Sequence, residues 1–263
     1  MSAHRSPWRL PSLSTRFIHV WRRNQLVWRK LAIPSMLGNL ADPLLYLFGL
    51  GYGLGRMLDS IDGISYIAFL ASGVVCSSTM MSASFEAMYS GFSRMHVQKT
   101  WDAILNAPLT LDDVLIGEWV WAASKSFLSG TAVLIVAALM GFVSSPLALL
   151  VIPLILLTGL AFAALGLIMT ALSPSYDFFM YYFTLVVTPM MLLCGVFFPL
   201  DQLPPLVQQG AQLLPLTHAV ALARPLINGH WPPGALLHLA VLAAYALIAF
   251  QIALALTRRR LLK

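Results

Sequence analysis

The sequence predicts an all-α membrane protein with six transmembrane helices, and three observations carry that prediction. Of the 263 residues, 59% are hydrophobic and only 10% are charged, against about 25% charged in a soluble domain. Six runs approach the ~20 largely apolar residues that a bilayer crossing requires. The basic residues gather at the ends, with seven Lys/Arg in the first 30 residues and four in the last six. A pI near 9.6 therefore reads as the charge bias of cytoplasmic termini, and nucleic acid is not an expected partner.

The chain opens with a basic amphipathic segment, residues 13–31. At about 100° per residue, Leu13, Phe17, Val20, Trp21, Trp28 and Leu31 share one face, while His19, Arg22, Arg23, Arg29 and Lys30 share the other. Asn24 is the polar exception on the apolar face. This pattern predicts an interfacial helix, with Phe17, Trp21 and Trp28 at the headgroup boundary and Arg22 and Arg29 toward anionic lipid. No secretory leader is expected, because the first apolar run is too long and lacks a small-residue exit.

The predicted spans are Leu31–Leu54, Ile64–Tyr89, Val114–Met140, Pro146–Leu172, Asp177–Phe198 and Ala235–Leu256. Six spans put both termini on one side, together with Arg94 and Lys99, so that side is expected to be cytoplasmic. Arg56 and Arg224 lie on the opposite side. There is no internal repeat, and one transmembrane domain is expected over residues 1–263.

Between the second and third runs lies a polar island, "HVQKTWDAILNAPLTLDDV". Val97, Trp101, Ile104 and Leu105 recur at i, i+4, i+7 and i+8, predicting a short amphipathic helix over 97–106 that Pro108 ends. Thr110 followed by Asp113 predicts a capping-box start for the next helix. The apolar stripe suits either docking into a partner's groove or lying on the membrane.

Asp42, Glu86 and Lys125 fall inside predicted spans, and Glu118 near a boundary; such groups face a partner or a cavity. Glu86 and Lys125 are expected to pair, or Lys125 to reach the inner interface alone. Asp42 precedes Pro43 and suits a cap or kink. His238 stands alone in the sixth run, and no carboxylate pair suits a proton relay. Cys76 and Cys194 match no zinc or redox spacing, and no metal or catalytic site is expected. The aromatic stretch Tyr176–Phe183, with Tyr176, Phe178, Tyr181 and Tyr182, suits either sugar stacking along a substrate path or ordinary packing. Residues 199–233 are too Pro-rich to span and too apolar for a solvated loop, so short re-entrant helices are expected.

"NAPLTLDDVLIGEW", "FFPLDQLPPL" and "LLPLTHAVALARPLINGH", on a six-span plan, resemble ABC-2 type transporter permeases. "GNLADPLLYLFGLGYGLG", "LTGLAFAALGL" and "ALSPSYDFF" are similar to the lipo-oligosaccharide exporter branch of that family. The resemblance covers about Pro7 to Lys263. It implies an inner-membrane pathway built from two copies of the chain above two copies of a separate ATP-binding subunit. It also implies that the island helix couples to that subunit and that an acylated or lipid-linked oligosaccharide moves outward. The chain has no G-x-x-x-x-G-K-[ST] loop, so ATP and Mg would be bound by the partner. The remaining alternatives are export of another amphiphile, such as a drug or lipid, or a membrane-embedded enzyme acting on glycolipid.

Overall fold

The computed structural model describes residues 6–261 apart from 13, 59 and 62. Leu13 of the amphipathic segment thus lies outside the described residues. Among those residues all regular elements are helical, and they pack around a large apolar core drawn from Tyr66 to Leu254, with a small second cluster of Leu47, Ala71 and Ala137 beside it.

Helix α1, Phe17–Arg29, and helix α2, Ala32–Gly53, meet at 85°. The chain therefore enters along one direction and turns sharply at Lys30–Leu31. The aromatic face of α1 is not turned outward as the sequence suggested. Phe17, Val20, Trp21, Asn24 and Trp28 are turned inward, while Arg22 and Arg29, with Ile18 and Leu26, are exposed. A backbone-close approach explains this. At Gly117 an added Cβ would lie 2.6 Å from Val20 Cβ and 3.0 Å from the Phe17 carbonyl. Only a glycine lets α1 sit this near its neighbour.

Helix α3, Tyr66–Phe85, is the central element, buried on nearly every side. Ser65 caps it, its side chain accepting from the Ala68 N–H. The helix does not stop at Tyr89 as expected but runs to Val97 through two π-helical turns, Glu86–Ser90 and Ser93–Val97. Lys99 then takes a left-handed conformation, φ 49°, which ends the helix. Helix α4 is consequently only Thr100–Leu105, shorter than the predicted 97–106. Thr110 and Asp113 form the expected capping box, and helix α5 follows, Leu111–Leu139.

Helix α6, Val151–Leu172, and the last helix, Ala235–Leu261, pack side by side. Between them in sequence come α7, Phe178–Tyr182, a π turn, α8, Thr188–Leu193, α9, Pro205–Ala211, and α10, Pro215–Ile227; the last helix is α11. Trp119 of α5 stacks on Phe250 of α11 at 4.3 Å. Arg260 donates to the carbonyls of Thr170, Ala171 and Ser173 at 3.2, 3.0 and 2.7 Å, satisfying the otherwise open end of α6. Pro225 does not cut the outward segment; it sits inside α10.

Four stretches are long and apolar enough to cross a membrane: Tyr66–Val97, Leu111–Leu139, Pro146–Leu172 and Ala235–Leu261. Counted as one broken span, the bent pair α1–α2 brings the number to five. The run Asp177–Phe198 yields an apolar helix only over Phe178–Leu193, because Gly195, φ 75°, breaks it. That is below the ~20 residues of a full crossing.

At one end of the bundle, Asp112 collects several segments. Arg258 donates to both of its oxygens at 3.0 and 2.7 Å, and the Ser12 backbone and hydroxyl donate at 2.9 Å each. Arg258 also binds the carbonyls of Pro7 and Arg9.

Candidate functional site

The π-helical end of α3 brings two opposite charges onto one side, Glu86 and Arg94. Helix α5 supplies Glu118, Trp121 and Lys125, one helical turn or so apart, and α4 supplies Trp101. Arg94 Nη1 lies 3.0 Å from Glu86 Oε1, and its Nε and Nη2 grip Glu118 at 2.9, 3.0 and 2.5 Å. Lys125 Nζ lies 2.8 Å from Glu86 Oε2, so the two residues singled out in the sequence are brought together. Trp121 donates to Glu86 at 2.7 Å and Trp101 to Glu118 at 3.1 Å. Glu86 is 3% exposed and Glu118 2%. Buried carboxylates at that depth stand only when their lone pairs are filled, and here each accepts from at least two partners.

Trp101 is 1% exposed. The predicted docking face of Val97, Trp101, Ile104 and Leu105 therefore does not exist as one outward surface. Ile104 and Leu105 are half-buried against the core, while Val97, 59% exposed, belongs to the preceding π turn. The physical reason is Lys99, whose left-handed backbone breaks the helical register between Val97 and Trp101. The outward rim of the island is instead Val97, Gln98, Lys99, Asp102, Ala103 and Asn106.

The charge cluster forms one wall of a cleft of about 490 Å³. Helix α1 contributes Arg23, Asn24, Val27 and Trp28; the α3 extension contributes Tyr89, Ser90 and Ser93; and Tyr176 closes one side. Trp28 meets Trp121 edge to face at 5.9 Å, and Trp21 donates to Ser124 at 3.1 Å.

Tyr176 stacks on Tyr89 at 6.0 Å with rings 9° apart. The other candidate path residues do not join it. Tyr182 is buried, Tyr181 is exposed, and Phe178 pairs edge-on with Tyr181 at 6.3 Å. Successive helical residues point in different directions, so the aromatic stretch is split between core and surface. A second, smaller cleft of about 280 Å³ lies between α2 and α3, lined by Asn39, Asp42, Tyr46, Ser78 and Ser82 among others. His238 is not alone: its Nδ1 lies 2.7 Å from Nδ1 of His218, whose Nε2 faces the Gln212 carbonyl at 2.9 Å. That carbonyl only accepts, so His218 carries a proton on Nε2.

Sequence reasoning missed Arg94, Glu118 and Trp121 as members of the cluster. Arg94 was counted with the cytoplasmic charges, and the π turns that fold it back leave no signature in the hydrophobic period. Cys76 and Cys194 are buried free thiols.

The chain belongs to the ABC-2 type transporter family, whose model matches residues 15–227, and it is a transporter permease. It is 50% identical over 254 residues to Nodulation protein J of Rhizobium leguminosarum bv. viciae, covering 97% of this chain and 98% of that one. The corresponding protein of Bradyrhizobium diazoefficiens is 51% identical over 254 residues, covering 97% of each. Inner membrane transport permease YadH of Escherichia coli is 24% identical over 214 residues, covering 81% of this chain and 80% of its own.

Proposed function

We propose that the chain is the membrane half of an ATP-driven exporter moving an acylated or lipid-linked oligosaccharide outward across the bacterial inner membrane. Two copies form the pathway, and two ATP-binding subunits, which hold ATP and Mg, dock beneath it. Both termini and α4 face the cytoplasm, and the segment 199–233 lies toward the exit as short re-entrant helices. Six crossings follow if the helix Phe178–Leu193 completes its passage with the residues after it. The observation that carries this reading is the match of about half of all residues, over nearly the whole chain, to proteins named Nodulation protein J.

The anchoring of α4 supports a coupling role. Its indole is tied through Glu118 and Arg94 to both α5 and the end of α3, so a force applied at the rim reaches two long helices together. Tight tertiary links of this kind transmit displacement because packed interiors deform little.

The test is transport in inverted membrane vesicles containing the chain and its ATP-binding subunit. ATP-dependent accumulation of an acylated chitin oligosaccharide, absent without the chain, is the expected result. Accumulation of a fluorescent lipid or drug amphiphile but not of the oligosaccharide would assign the chain a different cargo.

A further inference from the structure

We propose that the cleft beneath the α1–α2 elbow binds the oxyanion of a membrane amphiphile, a phosphate or sulfate ester whose apolar part lies along the bilayer. This goes beyond the exporter reading and does not depend on which oligosaccharide is carried.

The charge balance of the cleft points to an anion. Arg23, Arg94 and Lys125 line it, and Glu86 is the one acidic residue of its wall among the described residues. Glu86 is already paired with two cations, accepting from Arg94, Trp121 and Lys125 at 3.0, 2.7 and 2.8 Å, so it is not a free carboxylate for another cation. Glu118 stands behind Arg94 and is filled by Arg94 and Trp101. With Glu86 paired in this way, the cationic side chains of the lining outnumber the acidic one, a balance that favours an anionic ligand.

The unspent donors can be named. Asn24 is 3% exposed, and its Nδ2 has no hydrogen-bond partner among the described residues. Arg23 Nη1 donates to Asn24 Oδ1 at 3.0 Å. A guanidinium is a donor only, so the amide oxygen must face it and the amide nitrogen is left as the open group. A buried unpaired N–H of this kind costs about 1–3 kcal/mol, a cost that an oxyanion would remove. Lys125 spends one of its three protons on Glu86. Guanidinium, ammonium and amide donors on the lining of one cleft suit the tetrahedral oxygens of phosphate and sulfate.

The rest of the cleft points to an amphiphile. Val27 and Leu31 line it and are exposed, Leu31 to 63%. The cleft sits where α1 turns 85° into α2, the depth at which an in-plane helix gives way to a crossing one and at which headgroups lie. A volume of about 490 Å³ matches a headgroup-sized ligand.

The experiment uses the full chain in nanodiscs of mixed phosphatidylcholine and phosphatidylglycerol, with retained lipids counted by native mass spectrometry. Phosphatidylglycerol is expected to be retained selectively by the wild type. Arg23→Gln and Asn24→Leu should each lower that retention about tenfold, the loss of one charge-assisted contact, while Arg23→Lys should keep most of it. Equal retention of the two lipids, or retention unchanged in Arg23→Gln, would overturn the site. Displacement of the retained lipid by millimolar inorganic phosphate would overturn the amphiphile assignment in favour of a soluble oxyanion. Because neither ATP nor transport enters the measurement, its failure leaves the exporter reading untouched, and failed transport leaves this one untouched.

Discussion

Trp101 donates its indole N–H to the Glu118 carboxylate at 3.1 Å, and through that bond the six-residue helix α4 is fastened to the first half of α5. The residue that the sequence pattern marked for an outer docking face is the anchor of that face instead.

Trp101→Ala is therefore expected to act on stability before it acts on assembly. It removes a buried indole, at about 3–5 kcal/mol, and strips Glu118 of one donor. A lowered midpoint in detergent thermal denaturation is the expected result; a midpoint equal to wild type would contradict the buried placement.

The surface that α4 offers a docking partner is the rim. Val97→Asp and Asp102→Lys should each reduce recovery of the ATP-binding subunit in a pull-down while leaving the stability within about 0.5 kcal/mol of wild type, as exposed substitutions usually do. Full recovery with both changes combined would remove α4 as the contact.

Arg94 and Lys125 should differ in their effects. Arg94 bridges both buried carboxylates, so Arg94→Met leaves two of them under-paired, at a cost of about 3–5 kcal/mol. Lys125→Met leaves Glu86 with Arg94 and Trp121 and should cost clearly less. Comparing denaturation midpoints of the two variants, in the same lipid, decides the order; equal costs would mean that Arg94 is not the hub.

Gly117→Ala should loosen α1, because its methyl would meet Val20 and the Phe17 carbonyl. Faster tryptic cleavage after Arg22 and Arg29 is the expected sign. Adding Val20→Gly should restore part of the protection, since it removes the Val20 Cβ and Cγ1 contacts but not the one with the Phe17 carbonyl. Cleavage at the wild-type rate in Gly117→Ala would show that α1 is not seated there.

Much of this was legible in the sequence, and the failures share a cause. Helix positions, the Thr110–Asp113 capping box and the Glu86–Lys125 pairing all follow from local spacing or from the cost of an unpaired charge in lipid. The direction in which an apolar face points does not. In water an apolar stripe must turn inward, but lipid tails and a protein interior are both apolar, so the same stripe fits either. Trp21, Trp28 and Trp101 were assigned outward for that reason, and Gly117 and Lys99, which decide the matter, act through backbone geometry rather than polarity. His218 and His238 lie 20 residues apart, on α10 and α11, and nothing in either helix's own period announces the meeting.

The Asp112 carboxylate holds Ser12 and Arg258 together, residues that stand near opposite ends of the chain. Noncovalently, the two ends of the described chain are fastened into a ring, with the start of α5 as one pin and Gln251, which donates to the Trp8 and Arg9 carbonyls, as another. Asp112→Asn would consequently loosen the residues around Ser12 and those around Arg258 together.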